Sequence, residues 1–218
     1  MAVPALTLRY SGLPQHRIEA MNSSHPGIYA FEGLTPVVDP SAYVHPTAVL
    51  IGDVIVEAGC YVGPGAVMRG DFGRILLKRE ANLQDNCVVH SRGDIDCVME
   101  EDSHIGHGAV IHACRIGRDS LVGMNAVVMD GAHVGDQAIV AAMSFVKIGD
   151  VVAPRTLVAG IPARFVRELT DANLKGKQSG TQMYKDLARR SQAGLRPAVA
   201  LTEVETDRPR TDWSGYVF

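Results

Sequence analysis

Aromatic side chains are scarce in this chain: Phe, Trp and Tyr make up 6% of 218 residues, with a single Trp. An interior built from such a sequence has to be filled by aliphatic groups. Cysteine is also rare, and Cys60, Cys87, Cys97 and Cys114 form no CxxC or CxxxC pair. That spacing argues against a disulfide scaffold and for free thiols in a reducing cytoplasm. No apolar run approaches the length a membrane span needs. The net charge of −3 offers no basic excess for nucleic acid. With 22 glycines the chain is far from the one-in-three of collagen. A composition 46% apolar and 21% charged excludes a wholly disordered polymer. Arg9 and Tyr10 interrupt the first apolar stretch, so a secretory signal is not supported. Met21 is the expected native start, with the residues before it an extension.

What the chain does have is a period of six. Val38, Val44, Leu50, Val56, Val62 and Met68 are spaced by six, and Ala42, Ala48, Val54, Cys60 and Ala66 precede five of them by two. The register slips over 69–76, resumes at Leu77, Leu83 and Val89, and breaks over the polar stretch 91–103. Ile105 and Ile111 restore it. After one dropped residue it runs unbroken through Ile116, Val122, Val128, Val134, Val140, Val146, Val152 and Val158. Neither helical periodicity nor strand alternation gives a period of six. A short strand and tight turn does, and three such units close one triangular coil of a parallel β-helix of hexapeptide repeats. Glycines 52, 63, 106, 117, 123 and 135 follow inward residues by one or two places, where backbone freedom is expected to be useful. A sandwich would not repeat its turns at this fixed interval.

The β-helix is expected over residues 28–163, after a poorly ordered extension over 1–27. A helical segment is expected over 164–195, with Phe165, Val166 and Leu169 in one run and Met183, Tyr184 and Leu187 in a second beyond Gly176 and Gly180. Residues 196–218 read as an irregular, weakly anchored tail.

Of eight histidines, His90 and His112 each follow an inward residue directly, and His107 lies two after Ile105. These three project outward. His90 and His107 are about one coil apart, so neighbouring rungs are an open arrangement. Three imidazoles and an open fourth position make a catalytic zinc site. Outward ligands on one flat prism are far apart, so two chains sharing the metal, as in a cyclic trimer, suit the geometry better. Three surface histidines with no common purpose is the competing reading. His104 is an alternative ligand, whereas His45 and His133 sit in ordinary turn contexts.

Arg69-Gly70-Asp71, Asn82-Leu83-Gln84-Asp85-Asn86, His90, Ile105-Gly106-His107 and His112 together resemble γ-class carbonic anhydrases over residues 28–190. Within that family HPTAVLIGDV, RGDFGRI, NLQDNCVVH, HIGHGAVIHACRIG, LVGMNAVVMDGA and QSGTQMY look most like the phenylacetic acid degradation branch, and the carnitine-operon branch is similar over the same span. The resemblance implies a left-handed prism with a C-terminal helix, a homotrimer, and zinc (or iron or cobalt) at each interface. His90 and His112 would come from one chain and His107 from its neighbour. It further implies an inter-subunit ion pair of Arg69 and Asp71, and catalytic or positioning roles for Asn82, Gln84, Asp85 and Tyr184. Each has a plainer alternative: a trimer contact, a turn cap, a tyrosine lying on the prism.

Phe72 stands where archaeal-type members carry glutamate, and Glu100, Glu101 and Asp102 read equally as a solvated run, so no proton shuttle is placed. Phe72 and Met124 suit an organic substrate. The leading expectation is a cytoplasmic zinc-dependent hydrolase of acyl-CoA thioesters in phenylacetate degradation. Carbonic anhydrase activity, a one-histidine hexapeptide acyltransferase and a non-catalytic trimeric scaffold are the alternatives.

Overall fold

The computed structural model describes residues 27–216. The expected start at Met21 and the extension ahead of the prism lie outside the described residues. The rest forms a left-handed parallel β-helix of about seven turns with one C-terminal helix.

Three strand columns make the faces. Face one stacks Tyr43–Val44, Tyr61–Val62, Asn82–Leu83, His104–Ile105, Leu121–Val122, Ile139–Val140 and Thr156–Ala159 in parallel register. Face two contains Val88–His90, Val110–His112, Val127–Val128 and Phe145–Val146; face three contains Cys97–Met99, Arg115–Ile116, His133–Val134 and Val151–Val152. Two long strands, Val49–Val56 and Val67–Leu77, run through the corner between faces two and three. The hexapeptide positions from Leu50 to Val158 are the core: Leu50, Met68, Leu83, Ile105, Val122 and Val140 are fully or almost fully buried. Each such aliphatic side chain contributes about 1.5–3 kcal/mol by leaving water. The small residues two places earlier sit at the corners, and two cysteines there donate weak hydrogen bonds to the next coil, Cys87 Sγ to the Gly106 carbonyl at 3.1 Å and Cys60 Sγ to that of Lys78 at 3.0 Å. Burial pushes these thiols up, to about 11 and about 12.

The glycines after inward residues serve a different purpose from the expected one. Of the six, only Gly52 has a left-handed backbone, with φ of 71°. A Cβ on Gly63, Gly106, Gly117 or Gly135 would stand 2.6–2.9 Å from a backbone nitrogen of the next coil, and Gly123 is tighter still. They are there because coils stack closely. Left-handed residues occur three places after the inward one, as in Gly65, Asn86, Gly108 and Asn125.

The polar break is shorter than expected. Cys97–Met99 already belongs to face three, so only residues 91–96 loop out, closed by an Arg92–Ile95 bridge. Phe165 and Val166 are not helical: Arg164–Glu168 is a strand antiparallel to Thr156–Ala159. One continuous helix, α1 (Asp171–Gly194), then passes through Gly176 and Gly180. Thr170 caps it, its hydroxyl accepting from the Asn173 N–H while the Asn173 side chain accepts from Thr170 N–H. α1 runs back along the corner of left-handed residues: Asp171 pairs with Arg155, Lys177 with Asp119, Lys185 with Asp102 and Glu80, and Gln192 reaches the Ala42 carbonyl. The tail is better held than its sequence suggests, because Trp213 lies 4.3 Å from the Arg190 guanidinium and the Tyr216 hydroxyl donates to Asp186. Among the described residues no helix is long and apolar enough to cross a membrane.

Candidate functional site

The expected site residues fall into two separate clusters. The first lies on face two. His112 is the register partner of His90, 22 residues away because the 91–96 loop lengthens that coil. His107 is therefore not the rung neighbour of His90. His90 Nδ1 and His112 Nε2 face each other at 3.1 Å. The outer nitrogens are held by carboxylates, His90 Nε2 by Asp71 at 3.0 Å and His112 Nδ1 by Asp130 at 3.0 Å. Arg69 closes on Asp71 at 2.6 Å within the same chain. Burial works against the Asp71 carboxylate, yet hydrogen bonds from Arg69 and His90 outweigh it and hold its pKa below the ordinary value. Phe72 is exposed beside the His90 ring, with centroids 5.2 Å apart. Asp130 was not singled out from the sequence, although its distance of one regular coil from His112 was a signal.

The second cluster sits where α1 crosses face one. His107, after the His104–Ile105 strand, directs Nδ1 at Asp85 Oδ2, 2.5 Å away. Its Nε2 lies 3.4 Å from the Tyr184 hydroxyl on α1. The His107 side chain is 45% exposed, so this nitrogen borders solvent. Burial first, and then the Asp85 charge, push the Tyr184 phenol up, which keeps it a proton donor. Behind these groups the wall is polar and closed. Asn82 and Gln84 are buried; the Gln84 amide donates to Asn82 Oδ1 at 3.0 Å and meets His104 Nε2 at 2.5 Å. Burial, with the charges of Lys177 and His107 adding to it, pushes His104 down to about 3. His104 is therefore a neutral wall residue, its Nε2 taken up by the Gln84 amide. Tyr184 stands edge-on to it and to Tyr61, at 5.1 and 5.4 Å.

The donor sets do not fit a three-histidine metal centre within one chain. His107 stays with Asp85 and Tyr184, and among the described residues no group of three or more His, Cys, Asp or Glu side chains comes together to hold a metal. Glu100, Glu101 and Asp102 are not a solvated run either, since each pairs with a cation, Arg115, Arg79 and Lys185 respectively.

The family described as bacterial transferase hexapeptide (six repeats) matches residues 113–147. The carnitine operon protein CaiE of Salmonella agona (strain SL483) is 56% identical over 182 residues, covering 84% of this chain and 92% of that protein. A hexapeptide transferase family protein from Anaplasma phagocytophilum superposes with a TM-score of 0.72 at 35% identity, covering 75% of this chain and 96% of that one. A provisionally assigned acetyltransferase from Bacillus cereus gives a TM-score of 0.75 at 30% identity, covering 76% and 96%. These likenesses overturn the zinc-dependent thioester hydrolase of phenylacetate degradation. The close relatives are carnitine-operon proteins and the solved neighbours are of the transferase kind, and the zinc, hydrolase, thioesterase and phenylacetate expectations are corrected accordingly.

Proposed function

The chain belongs to the hexapeptide-repeat family of the carnitine operon protein CaiE, and from that premise we propose that it is an acyltransferase using His107 as general base. The observation that carries this reading is the Asp85–His107–Tyr184 arrangement at the edge of solvent. Asp85 accepts the Nδ1 proton and so fixes the tautomer that leaves the Nε2 lone pair free. In the transfer, Nε2 takes the proton of an acceptor hydroxyl or amine as its oxygen or nitrogen attacks a thioester carbonyl. The carbon–sulfur bond then breaks and the imidazolium returns the proton to the departing thiolate. Tyr184, held protonated by its surroundings, donates a hydrogen bond to the oxyanion of the intermediate. An acyl-CoA donor is supported by the acetyltransferase assignment of the Bacillus cereus neighbour. The free, buried cysteines are in keeping with a cytoplasmic site of action.

A homotrimer is part of the proposal. Beside the His90–His112 cluster, the outward side of face two carries an apolar ladder, Val49, Val67, Val88, Val110, Val127 and Phe145 in continuous register. Parallel sheets are stable with both faces covered, and α1 covers only face one.

The test is release of free thiol from graded acyl-CoA donors with a panel of amine and hydroxyl acceptors. Replacing His107 by Asn lowers kcat by about 10²-fold or more, while His90→Asn and His112→Asn each change it by no more than about fivefold. Equal losses from all three variants, or none from His107→Asn, would refute the assignment.

A further inference from the structure

Resting on the acyl-transfer reading, we propose that Met143, with Met124 and Ile161, is the apolar seat for the acyl chain and sets its preferred length. Three places after each inward residue of face one the chain turns left-handed, and successive coils put Gly65, Asn86, Gly108, Asn125 and Met143 at that position. Glycine and asparagine tolerate positive φ; an unbranched hydrophobic side chain gains nothing there. Met143 nevertheless adopts φ of 61°. Other bulky left-handed residues obtain a contact in return: Glu80 holds Lys185, Arg155 holds Asp171, and Gln137 donates to Asp119. Met143 leaves its side chain in water, 63% exposed. Strain kept at a surface position without a packing gain points to function.

Its surroundings say what function. The Asn125 N–H donates to the His107 carbonyl and the Met143 N–H to the Met124 carbonyl, both at 2.9 Å. Met124 and Met143 thus follow the proposed base directly along the same corner of the prism. On the following coil Phe145 N–H donates to the Gly160 carbonyl at 3.0 Å, which sets Ile161 against Phe145, just past the turn at the face-two edge of this corner. Met124 is 54% and Ile161 75% exposed. With coils about 4.8 Å apart, the three side chains make an apolar strip roughly 10 Å long that starts beside His107. Methionine adapts to chains of varied shape, as an acyl seat requires.

S-alkyl-CoA thioethers of increasing chain length, which cannot react, measure the seat without turnover. Calorimetric titration of the full-length protein is expected to show Kd falling by up to about fourfold per added methylene until the strip is filled. In Met143→Asn, which suits the left-handed position, and in Met124→Ser, that gradient flattens. In His107→Asn it persists. Melting temperature and solution mass are recorded for every variant. A gradient unchanged in both methionine variants overturns the seat, as does an altered solution mass accompanied by an unaltered gradient, because a second copy then covers the strip. A gradient present in a protein that turns over no acyl-CoA leaves the seat standing and refutes the acyl-transfer reading instead.

Discussion

His104 is neutral in the fold because burial leaves no room for its charge, and this makes the stability of the α1 wall depend on pH. Its pKa falls from 6.5 in the free side chain to about 3. Between those values the unfolded chain binds a proton that the folded chain refuses. The contribution is therefore full above pH 6.5 and declines as the pH falls toward 3, by up to about 1.4 kcal/mol per unit. Urea denaturation of wild type and His104→Gln at pH 7 and pH 5 checks this: the stability gap between them is expected to narrow or reverse at pH 5. An identical gap at both values would show that the imidazole takes no part. The sequence placed His104 only as an alternative ligand, since the helix that buries it arrives from 70 residues further along. That Asp71 and Arg69 share one face was legible, because alternate residues of a strand do, but the resemblance implied a pair between subunits and here it closes within one chain.

At the scale of elements, the strands were legible and the helix was legible only in part. A strand of this solenoid announces itself by one inward aliphatic residue in six. α1 buries Leu174, Lys177, Thr181 and Ala188 instead, a stripe with correct helical spacing but mixed chemistry, so apolar periodicity divided one helix into two runs. Phe165 and Val166 misled in the opposite sense: their apolar character belongs to an exposed hairpin strand. Lys177 is the most deeply buried charged tie of α1, its side chain only 2% exposed and its ammonium 2.6 Å from Asp119. Truncating one member of a buried ion pair leaves the other uncompensated. Lys177→Ala is expected to lose about 3 kcal/mol, whereas Lys177→Met combined with Asp119→Asn recovers more than half of it. Trp213, stacked on Arg190 of α1, is the only tryptophan and reports the transition by fluorescence. Full additivity of the two substitutions would show that the pair is not what fastens the helix.

The whole molecule follows from repetition, because a hexapeptide unit cannot bury its own aliphatic residue and each coil is completed by the next. Period and register were therefore readable from one sequence, whereas handedness came from family resemblance, the usual preference of parallel crossovers being right-handed. Assembly is the remaining consequence. Face one is covered by α1, and the outward column of face three, apolar from Val37 through Val98, is broken by Arg115 and His133 on adjacent rungs, which meet water. Face two presents valine in five successive rungs and phenylalanine in the sixth. Val110 lies in the middle of that ladder, outward and half-buried. Val110→Asp leaves the inward core of a single chain untouched, so circular dichroism is expected to remain that of the wild type. In a trimer the same carboxylate would be buried against an apolar neighbour without a partner, a penalty of several kcal/mol repeated at each interface. Sedimentation equilibrium should then give about three times the 23.4 kDa chain for wild type and a single chain for the variant. A wild-type monomer, or a variant that keeps the trimer mass, would mean that this ladder faces solvent in the working protein and that the acyl-transfer chemistry is completed within one prism.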